Sequence, residues 1–253
     1  MSDLVLTSID NGIAMLTLNR PEARNALSFE LIEAMNGAAE RLCREAASGM
    51  GGARVLILAG AGKSFCAGMD LKGVMSDPKK MAEMLRGLSR FSRTIRRLPI
   101  PTIARVQGAA VGGGCGLMVV TDFAVTHPES KVGYPEVDLG VCPAVVAPWL
   151  IKKIGAGRAR AMLLAGGTIS GEEGFKVGLA THLVAEAQLE SATMELATRL
   201  LKGGANAQAV TKRWLNELDG SMEDAPCDKA AELSAQVIAG EEAQQRLRKI
   251  YGM

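Results

Sequence analysis

Residues 111–118 have the sequence VGGGCGLM, in which three consecutive glycines run straight into an apolar segment. The apolar segment predicts a buried helix that begins at the glycines. Glycines at a helix start let the backbone come close to a ligand, and the first amide N–H groups of a helix have no partner within it. The helix dipole adds partial positive charge at the same end. This stretch therefore predicts a backbone site for a developing oxyanion.

A second stretch of similar character lies upstream, SFCAGMDLK at residues 64–72. A single glycine cluster is usually a turn or a tight helix contact, and that interpretation would suffice for either stretch alone. Two small-residue segments that each offer backbone amides make the stronger case for a site with two N–H donors.

Apolar runs around these two stretches predict alternating strands and helices. Residues 10–12, with the sequence DNG, predict a hairpin turn between the first two strands. Ser28 is suited to cap the helix that follows, and Pro99 ends a helix predicted over residues 79–98. Strands are predicted at residues 4–7, 13–18, 55–58, 102–106 and 131–134. This order predicts the α/β class, with a mostly parallel sheet flanked by helices.

Helical patterns replace strand patterns after about residue 145. They cover residues 158–164, 171–178, 188–201 and 222–248, and no low-complexity linker or internal repeat divides the chain. We therefore expect a core over residues 1–195, followed by a helical C-terminal region over residues 196–253.

Composition and charge exclude several classes of protein. The chain has 253 residues and a formal net charge of +2, too small to favour nucleic acid as a partner. Arg93, Arg96 and Arg97 recur at helical spacing, which predicts a solvated helix face. No apolar run approaches the roughly 20 residues of a membrane span, and no basic-then-apolar leader precedes the first strand. We expect a cytoplasmic protein without a membrane partner.

The catalytic chemistry expected from the composition is that of a carboxylate. Five cysteines show no paired metal-ligand spacing, so no metal site is expected. His127 and His182 are far apart in the chain, which argues against a histidine-based triad. Residues 60–62 (GAG) lack the third glycine and the acidic residue of a dinucleotide-binding fingerprint.

Four motifs together resemble the crotonase superfamily, the enoyl-CoA hydratase/isomerase family. They are NRPEARNALS at residues 19–28, AGMDLK at 67–72, the glycines at 112–114 and YPE at 134–136, in the order and spacing of that family. The resemblance covers most of the chain. It implies a ClpP-like core of repeated ββα units and a C-terminal region that forms a homotrimer or a hexamer of two trimers. It also implies an acyl-CoA thioester as substrate and no metal or redox cofactor, since coenzyme A is part of the substrate.

The resemblance also implies roles for individual residues. The backbone amides of Met69 and Gly113 are expected to hold the thioester oxygen, and Glu136 is expected to act as the acid/base. Gly116 is expected to lie at the acyl group. The remaining substrate-binding positions, matched to the family's CoA-binding segments, are Arg24, Ala26, Ala67, Gly68, Asp70, Leu71 and Lys72.

Gly116 departs from the family pattern, because hydratases with two carboxylates carry a second glutamate there. With one carboxylate, Glu136 can move a proton between C2 and C4, as an isomerase does. Alternatively, it can activate water and return the proton to C2. The loop GVCPAVVAP at residues 140–148 resembles that of hydratase-like members acting on branched or dicarboxylic enoyl-CoAs, which favours a hydratase. An isomerase, and a non-catalytic acyl-CoA-binding protein, remain alternatives.

Overall fold

A computed structural model describes residues 3–47, 52–72 and 77–252. Strands and helices alternate through the first two thirds of these ranges, and helices dominate the last third. The elements, in chain order, are β1 (Val5–Asp10), β2 (Ile13–Leu18), α1 (Phe29–Ala47), β3 (Val55–Gly60), α2 (Pro78–Arg97), β4 (Thr102–Val106), β5 (Ala109–Val111), α3 (Gly113–Val120), β6 (Phe123–Thr126), β7 (Lys131–Gly133), α4 (Ala147–Ile154), α5 (Ala156–Ala165), β8 (Thr168–Ser170), α6 (Gly171–Val177), β9 (His182–Leu183), α7 (Leu189–Leu201), α8 (Ala205–Leu218), α9 (Ala225–Ala239) and α10 (Glu241–Tyr251).

The predicted hairpin is present, with β1 antiparallel to β2 and Val5 opposite Leu18. Asn11 and Gly12 form its turn with φ values of 48° and 81°. Both angles lie in the left-handed region, which matches the right-handed twist of the flanking strands and explains why an Asn-Gly pair occupies the turn.

The main sheet has six strands in the order β1-β2-β3-β4-β6-β9, and every pair after the hairpin is parallel. A smaller sheet, β5-β7-β8, carries β5 parallel to β7 and β8 antiparallel to it. The predicted α/β class is confirmed. Because α3 follows β5 after a single residue, its first turn lies at the end of the smaller sheet.

Helices cover both faces of the main sheet. Alternate residues of β3 point to opposite sides: Leu56 and Leu58 join the large core with α1 and α2, whereas Ile57 joins a smaller core with α7. The helical spacing of the apolar residues in the sequence predicts a buried stripe on α2, and the structure buries Met81, Met84, Leu85, Leu88 and Phe91. The Ser28 hydroxyl accepts the N–H of Leu31 at 3.2 Å to cap α1.

The helical patterns of the C-terminal half are found with some differences. The pattern predicted over residues 222–248 is two helices, α9 and α10, because Gly240 between them has an extended backbone (ψ 156°). Helices α4 and α8 were not predicted, and the boundary expected at residues 195–196 falls inside α7. None of the helices within the described residues is long and apolar enough to cross a membrane.

The arginines of α2 do not form the solvated face predicted for them. Arg93 and Arg97 bind Asp224 at 3.1 and 2.8 Å, and Arg96 binds Asp219 at 2.7 Å. Their side chains are only 17–24% exposed, since α9 and the turn before it pack against α2. The prediction was wrong because these partners lie more than 120 residues away in the sequence.

Candidate active site

Three backbone hydrogen bonds hold the loop at residues 67–70 beside residues 24–27. The N–H of Ala67 donates to the carbonyl of Arg24 at 3.0 Å, and the N–H of Leu27 donates to the carbonyl of Gly68 at 2.8 Å. The N–H of Asp70 donates in turn to the carbonyl of Leu27 at 3.0 Å. The loop is therefore fixed by main-chain contacts on both sides of Met69.

The same loop adjoins the smaller sheet on its other side. The N–H of Cys66 donates to the carbonyl of Ala109 at 2.9 Å, and the N–H of Val111 donates to the carbonyl of Cys66 at 3.1 Å. Gly68 has φ +92°, and a Cβ there would lie 2.7 Å from the Val111 oxygen and 3.8 Å from the Gly113 nitrogen. Only glycine permits so close an approach, and this approach brings the loop against the start of α3.

Met69 and Gly113 lie next to each other at the start of α3. Gly113 is the first residue of α3, and a Cβ on it would lie 3.7 Å from the Met69 side chain. Within the described ranges, no backbone carbonyl accepts either N–H. Two unpaired donors, one of them at a helix start, thus adjoin one another and are suited to bind an oxyanion.

Glu136 follows β7 in a tight turn and aims its carboxyl group at the start of α3. A Cβ on Gly112, whose φ is +56°, would lie 3.0 Å from Oε1 of Glu136. Oε2 is buried and has no hydrogen-bond partner in the described part of the chain. Burial is the main reason that the pKa of Glu136 is raised from 4.5 to about 7, and the nearby negative charge of Asp138 contributes to this rise. A carboxyl group in this state can both accept and return a proton near neutral pH.

These groups line one cavity of about 140 Å³, measured as space open to the centre of a water molecule. Its walls come from the loop at residues 67–71, from α2, from residues 135–146, and from α9 and α10. Glu136 is the only acidic or basic side chain among the described residues that line it. The arrangement places one proton-transfer group beside two N–H donors in mostly apolar surroundings.

The cavity brings together six of the residues expected in the site from the sequence. They are Ala67, Gly68, Met69, Leu71, Gly113 and Glu136. The other expected positions lie outside its lining. Arg24 and Lys72 are exposed, and the carbonyl of Ala26 accepts a hydrogen bond from Arg20 at 3.1 Å. Asp70 forms an ion pair with Arg20 at 2.7 Å, which holds the loop in place.

Gly116, the remaining expected position, lies one turn into α3 and packs against Val146. A Cβ on Gly116 would lie 2.5 Å from Cγ1 of Val146. Val146 itself lines the cavity. The volume next to Gly116 is therefore filled by an apolar side chain, and among the described residues outside α3 only Val146 lies within 4 Å of such a Cβ.

Asn25 organises the site although sequence reasoning did not single it out. Its fully buried amide donates to the carbonyls of Ala61 and Ser64 at 2.9 and 2.8 Å, and it accepts the N–H of Arg20 at 2.8 Å. Its backbone is left-handed, with φ 54°, which asparagine tolerates better than most residues. The signal available in the sequence was the position of Asn25, a polar residue in the turn between the apolar segments of β2 and α1.

Solved structures share this architecture. The chain aligns over 98% of its length with 99% of an enoyl-CoA hydratase/isomerase from Mycobacterium paratuberculosis, with TM-score 0.87 and 26% identity. A putative enoyl-CoA hydratase from Mycobacterium avium paratuberculosis K-10 gives TM-score 0.87 and 28% identity over 98% of this chain and 96% of that one. The fold and its cavity define an enzyme of the crotonase superfamily, as the sequence motifs predicted.

The family model described as Enoyl-CoA hydratase/isomerase matches residues 8–249, and the chain belongs to that family. It is 35% identical to a hydroxycinnamoyl-CoA hydratase-lyase from Pseudomonas fluorescens, over 78% of this chain and 72% of that protein. It is 30% identical to a 1,2-epoxyphenylacetyl-CoA isomerase from Escherichia coli, over 97% of this chain and 94% of that protein. The described residues hold no group of three His, Cys, Asp or Glu side chains arranged to bind a metal ion.

Proposed function

We propose that this protein isomerises an enoyl-CoA thioester by moving a proton between C2 and C4, with Glu136 as the only acid/base. The observation that carries the proposal is the buried Oε2 of Glu136, which has no hydrogen-bond partner among the described residues. It shares one cavity with Met69 and Gly113, whose amides donate to no backbone carbonyl in the described ranges. No metal or redox cofactor takes part in the proposed reaction.

These groups alone account for every proton and electron pair that moves in the proposed reaction. The Glu136 carboxylate removes a proton from C2 of a 3-enoyl-CoA, and the electron pair moves into the thioester as a dienolate. The two amides stabilise the resulting oxyanion, for which one such donor is typically worth about 3–4 kcal/mol. Glu136 then returns the proton to C4, so that the double bond lies between C2 and C3.

The packing of Val146 against Gly116 favours isomerisation over hydration. Hydration by two carboxylates needs a second acidic group to hold the attacking water, and here Val146 fills that volume. The apolar walls near it offer a water few hydrogen bonds, whereas water bound inside a protein usually has about three. A single carboxylate among apolar walls is suited to carry a proton between two carbon atoms of the substrate.

Hydration by Glu136 alone is the second candidate function. The Pro143-Ala144 loop that favours it in the sequence contributes Pro143 to the cavity wall. A relative named crotonyl-CoA hydratase, from Syntrophomonas wolfei, is 30% identical over 85% of this chain and 81% of that protein. In this reaction Glu136 would take a proton from water while the oxygen of that water bonds to C3, and Glu136 would then deliver the proton to C2.

For the CoA moiety, we propose main-chain contacts with Ala67, Gly68 and Leu71 and charge contacts with Arg24 and Lys72. The two cations are exposed beside the loop that forms one cavity wall, where phosphates can reach them without losing all their water. Asp70 acts by holding the loop through its ion pair with Arg20 rather than by touching the substrate.

We further propose a homotrimer, alone or paired as a hexamer, formed through the helical region after residue 196. Helix α8 exposes an apolar stripe, because Val210, Trp214 and Leu218 recur every fourth residue and are 57–64% exposed. Such a stripe on one helix face is typical of a protein–protein contact. Sedimentation equilibrium of the wild type and of Trp214→Glu tests this, and a wild-type monomer would refute it.

The decisive experiment supplies the purified protein with a 3-enoyl-CoA and, separately, with crotonyl-CoA. We expect the 3-enoyl-CoA to become its 2-enoyl isomer with no change in mass, and Glu136→Gln to lower the rate by about 10²–10⁴-fold. Glu195→Gln is the matched control, since Glu195 is an exposed carboxylate of α7 that does not line the cavity.

Each outcome assigns the reaction. A mass gain of one water on crotonyl-CoA that depends on Glu136, without isomerisation, would establish the hydratase instead. Full activity of Glu136→Gln in both assays would refute the role of Glu136. Tight acyl-CoA binding with no turnover of either substrate would favour the non-catalytic acyl-CoA-binding protein.

A further inference from the structure

We propose that the acyl part of the cavity accepts only an uncharged, apolar acyl group and excludes one that ends in a carboxylate. This inference rests on the proposed function, because it names the substrate class of the same site. The loop at residues 140–148 resembles that of relatives acting on branched or on dicarboxylic enoyl-CoAs. The inference favours the branched kind of substrate and excludes the dicarboxylic kind.

Among the described residues of the wall, no side chain is a cation that could pair with a carboxylate. Besides Glu136, the polar side chains among the described lining residues are Cys142, Ser234 and Tyr251. Ser234 is already engaged: its hydroxyl donates to the carbonyl of Cys142 at 2.9 Å and accepts the N–H of Val145 at 3.3 Å. No lysine, arginine or histidine of the described chain lines the cavity. A carboxylate placed there would lose its water and gain no cation in return, which is strongly unfavourable.

Arg24 and Lys72 are assigned above to the CoA phosphates, and two further cations near the cavity are committed to other partners. Arg20 binds Asp70 at the outer side of the loop at residues 67–70. Arg246 of α10 packs its side chain against Gly140, but its guanidinium group binds Glu242 at 3.1 Å and lies 3.5 Å from the carbonyl of Asp138. Neither can reach into the cavity without breaking an existing ion pair.

Glu136 adds a repulsive contribution. A second carboxylate in the same small cavity would face Glu136 whenever Glu136 is ionised, and like charges in apolar surroundings cannot both be stable. A charged acyl end would therefore either bind weakly or keep Glu136 protonated and unable to act as a base. Uncharged acyl groups carry neither penalty.

Calorimetric titration with two saturated thioesters of equal chain length, valeryl-CoA and glutaryl-CoA, tests the inference at pH 8. Neither ligand is turned over, so the result does not depend on catalysis. We expect glutaryl-CoA to bind at least about tenfold more weakly than valeryl-CoA, with free CoA as the baseline. Equal or tighter binding of glutaryl-CoA would overturn the inference while leaving the proposed reaction standing. Failure of both thioesters to bind better than CoA would overturn both proposals.

A pair of variants at Met69 tests the cause. The Met69 side chain forms part of the wall, and Met69→Lys places a cation of similar length there, whereas Met69→Leu keeps the wall apolar. We expect Met69→Lys to reduce the discrimination to about threefold or less and Met69→Leu to preserve it. Should Met69→Lys fold poorly, the wild-type comparison decides alone. Undiminished discrimination in a folded Met69→Lys would refute the lack of a cation as its origin.

Discussion

Replacing Glu136 by glutamine should remove the loss of stability that the wild type undergoes as the pH rises from 4.5 to about 7. The buried carboxyl has its pKa raised from 4.5 to about 7, and this difference corresponds to about 3 kcal/mol. Because the folded state holds the proton more tightly than the unfolded state, the contribution of Glu136 to stability is fully present below pH 4.5. It is lost as the pH rises to about 7 and is constant above that value. Glutamine does not ionise and carries no such loss.

Urea unfolding of the wild type and of Glu136→Gln at equal protein concentration, between pH 4 and pH 9, measures this effect. We expect the difference in free energy of unfolding to grow in favour of the variant by about 3 kcal/mol across the window from pH 4.5 to about 7. The amide adds an offset that does not change with pH, so the diagnostic quantity is the change of this difference with pH.

The activity of the wild type should follow the same titration. If Glu136 acts as the base, kcat/KM falls about tenfold per pH unit below a midpoint near 7. A stability difference that stays flat from pH 4 to pH 9 would refute the raised pKa. A midpoint in the activity profile far from that of the stability profile would separate the buried carboxyl from the catalytic one.

Three further substitutions test a charge, a set of hydrogen bonds and a packing contact around the site. Asp138→Asn removes a negative charge that raises the pKa of Glu136 while keeping an oxygen to accept its present hydrogen bond; the midpoint of kcat/KM should move to lower pH, and an unmoved midpoint would contradict this coupling. Asn25→Ala leaves buried carbonyls without donors and should lower the free energy of unfolding by about 3 kcal/mol in urea, whereas a loss within error would show that water replaces the amide. Gly116→Ala should lower the free energy of unfolding by about 1–3 kcal/mol, because its methyl group would clash with Val146. In a double-mutant cycle, Val146→Ala should lower the free energy of unfolding less in the Gly116→Ala protein than in the wild type. Additive losses would argue against the contact.

Local signals in the sequence were sufficient for the elements whose stability is local. The turn at Asn11 and Gly12 and the buried stripe of α2 were predicted correctly, since one depends on two adjacent residues and the other on a 3.6-residue period. Helix α8 was missed for a physical reason: its buried residues are Lys212 and Asn216, while its apolar residues face outward. A pattern with polar groups inside inverts the signal on which helix prediction relies.

In the site, as in the fold, the part that depends on local sequence was predicted and the part that depends on side-chain packing was not. Motif order was enough to bring Met69, Gly113 and Glu136 to one cavity, because the motifs fall where the chain enters or leaves the smaller sheet. The packing of Val146 against Gly116 could not be read from the sequence, since it joins α3 to the residue before α4 through side-chain shape alone. That contact is the one that bears most on the choice between isomerisation and hydration.

The two proposed oxyanion donors belong to the main chain, and this has an evolutionary consequence. A change of the side chain at Met69 alters the wall around the acyl group but cannot delete the amide beside it. Single mutations can therefore shift which thioesters the protein accepts while its way of stabilising negative charge is inherited intact. Proteins that descend from such a chain can therefore diverge in substrate range while they keep the same reaction mechanism.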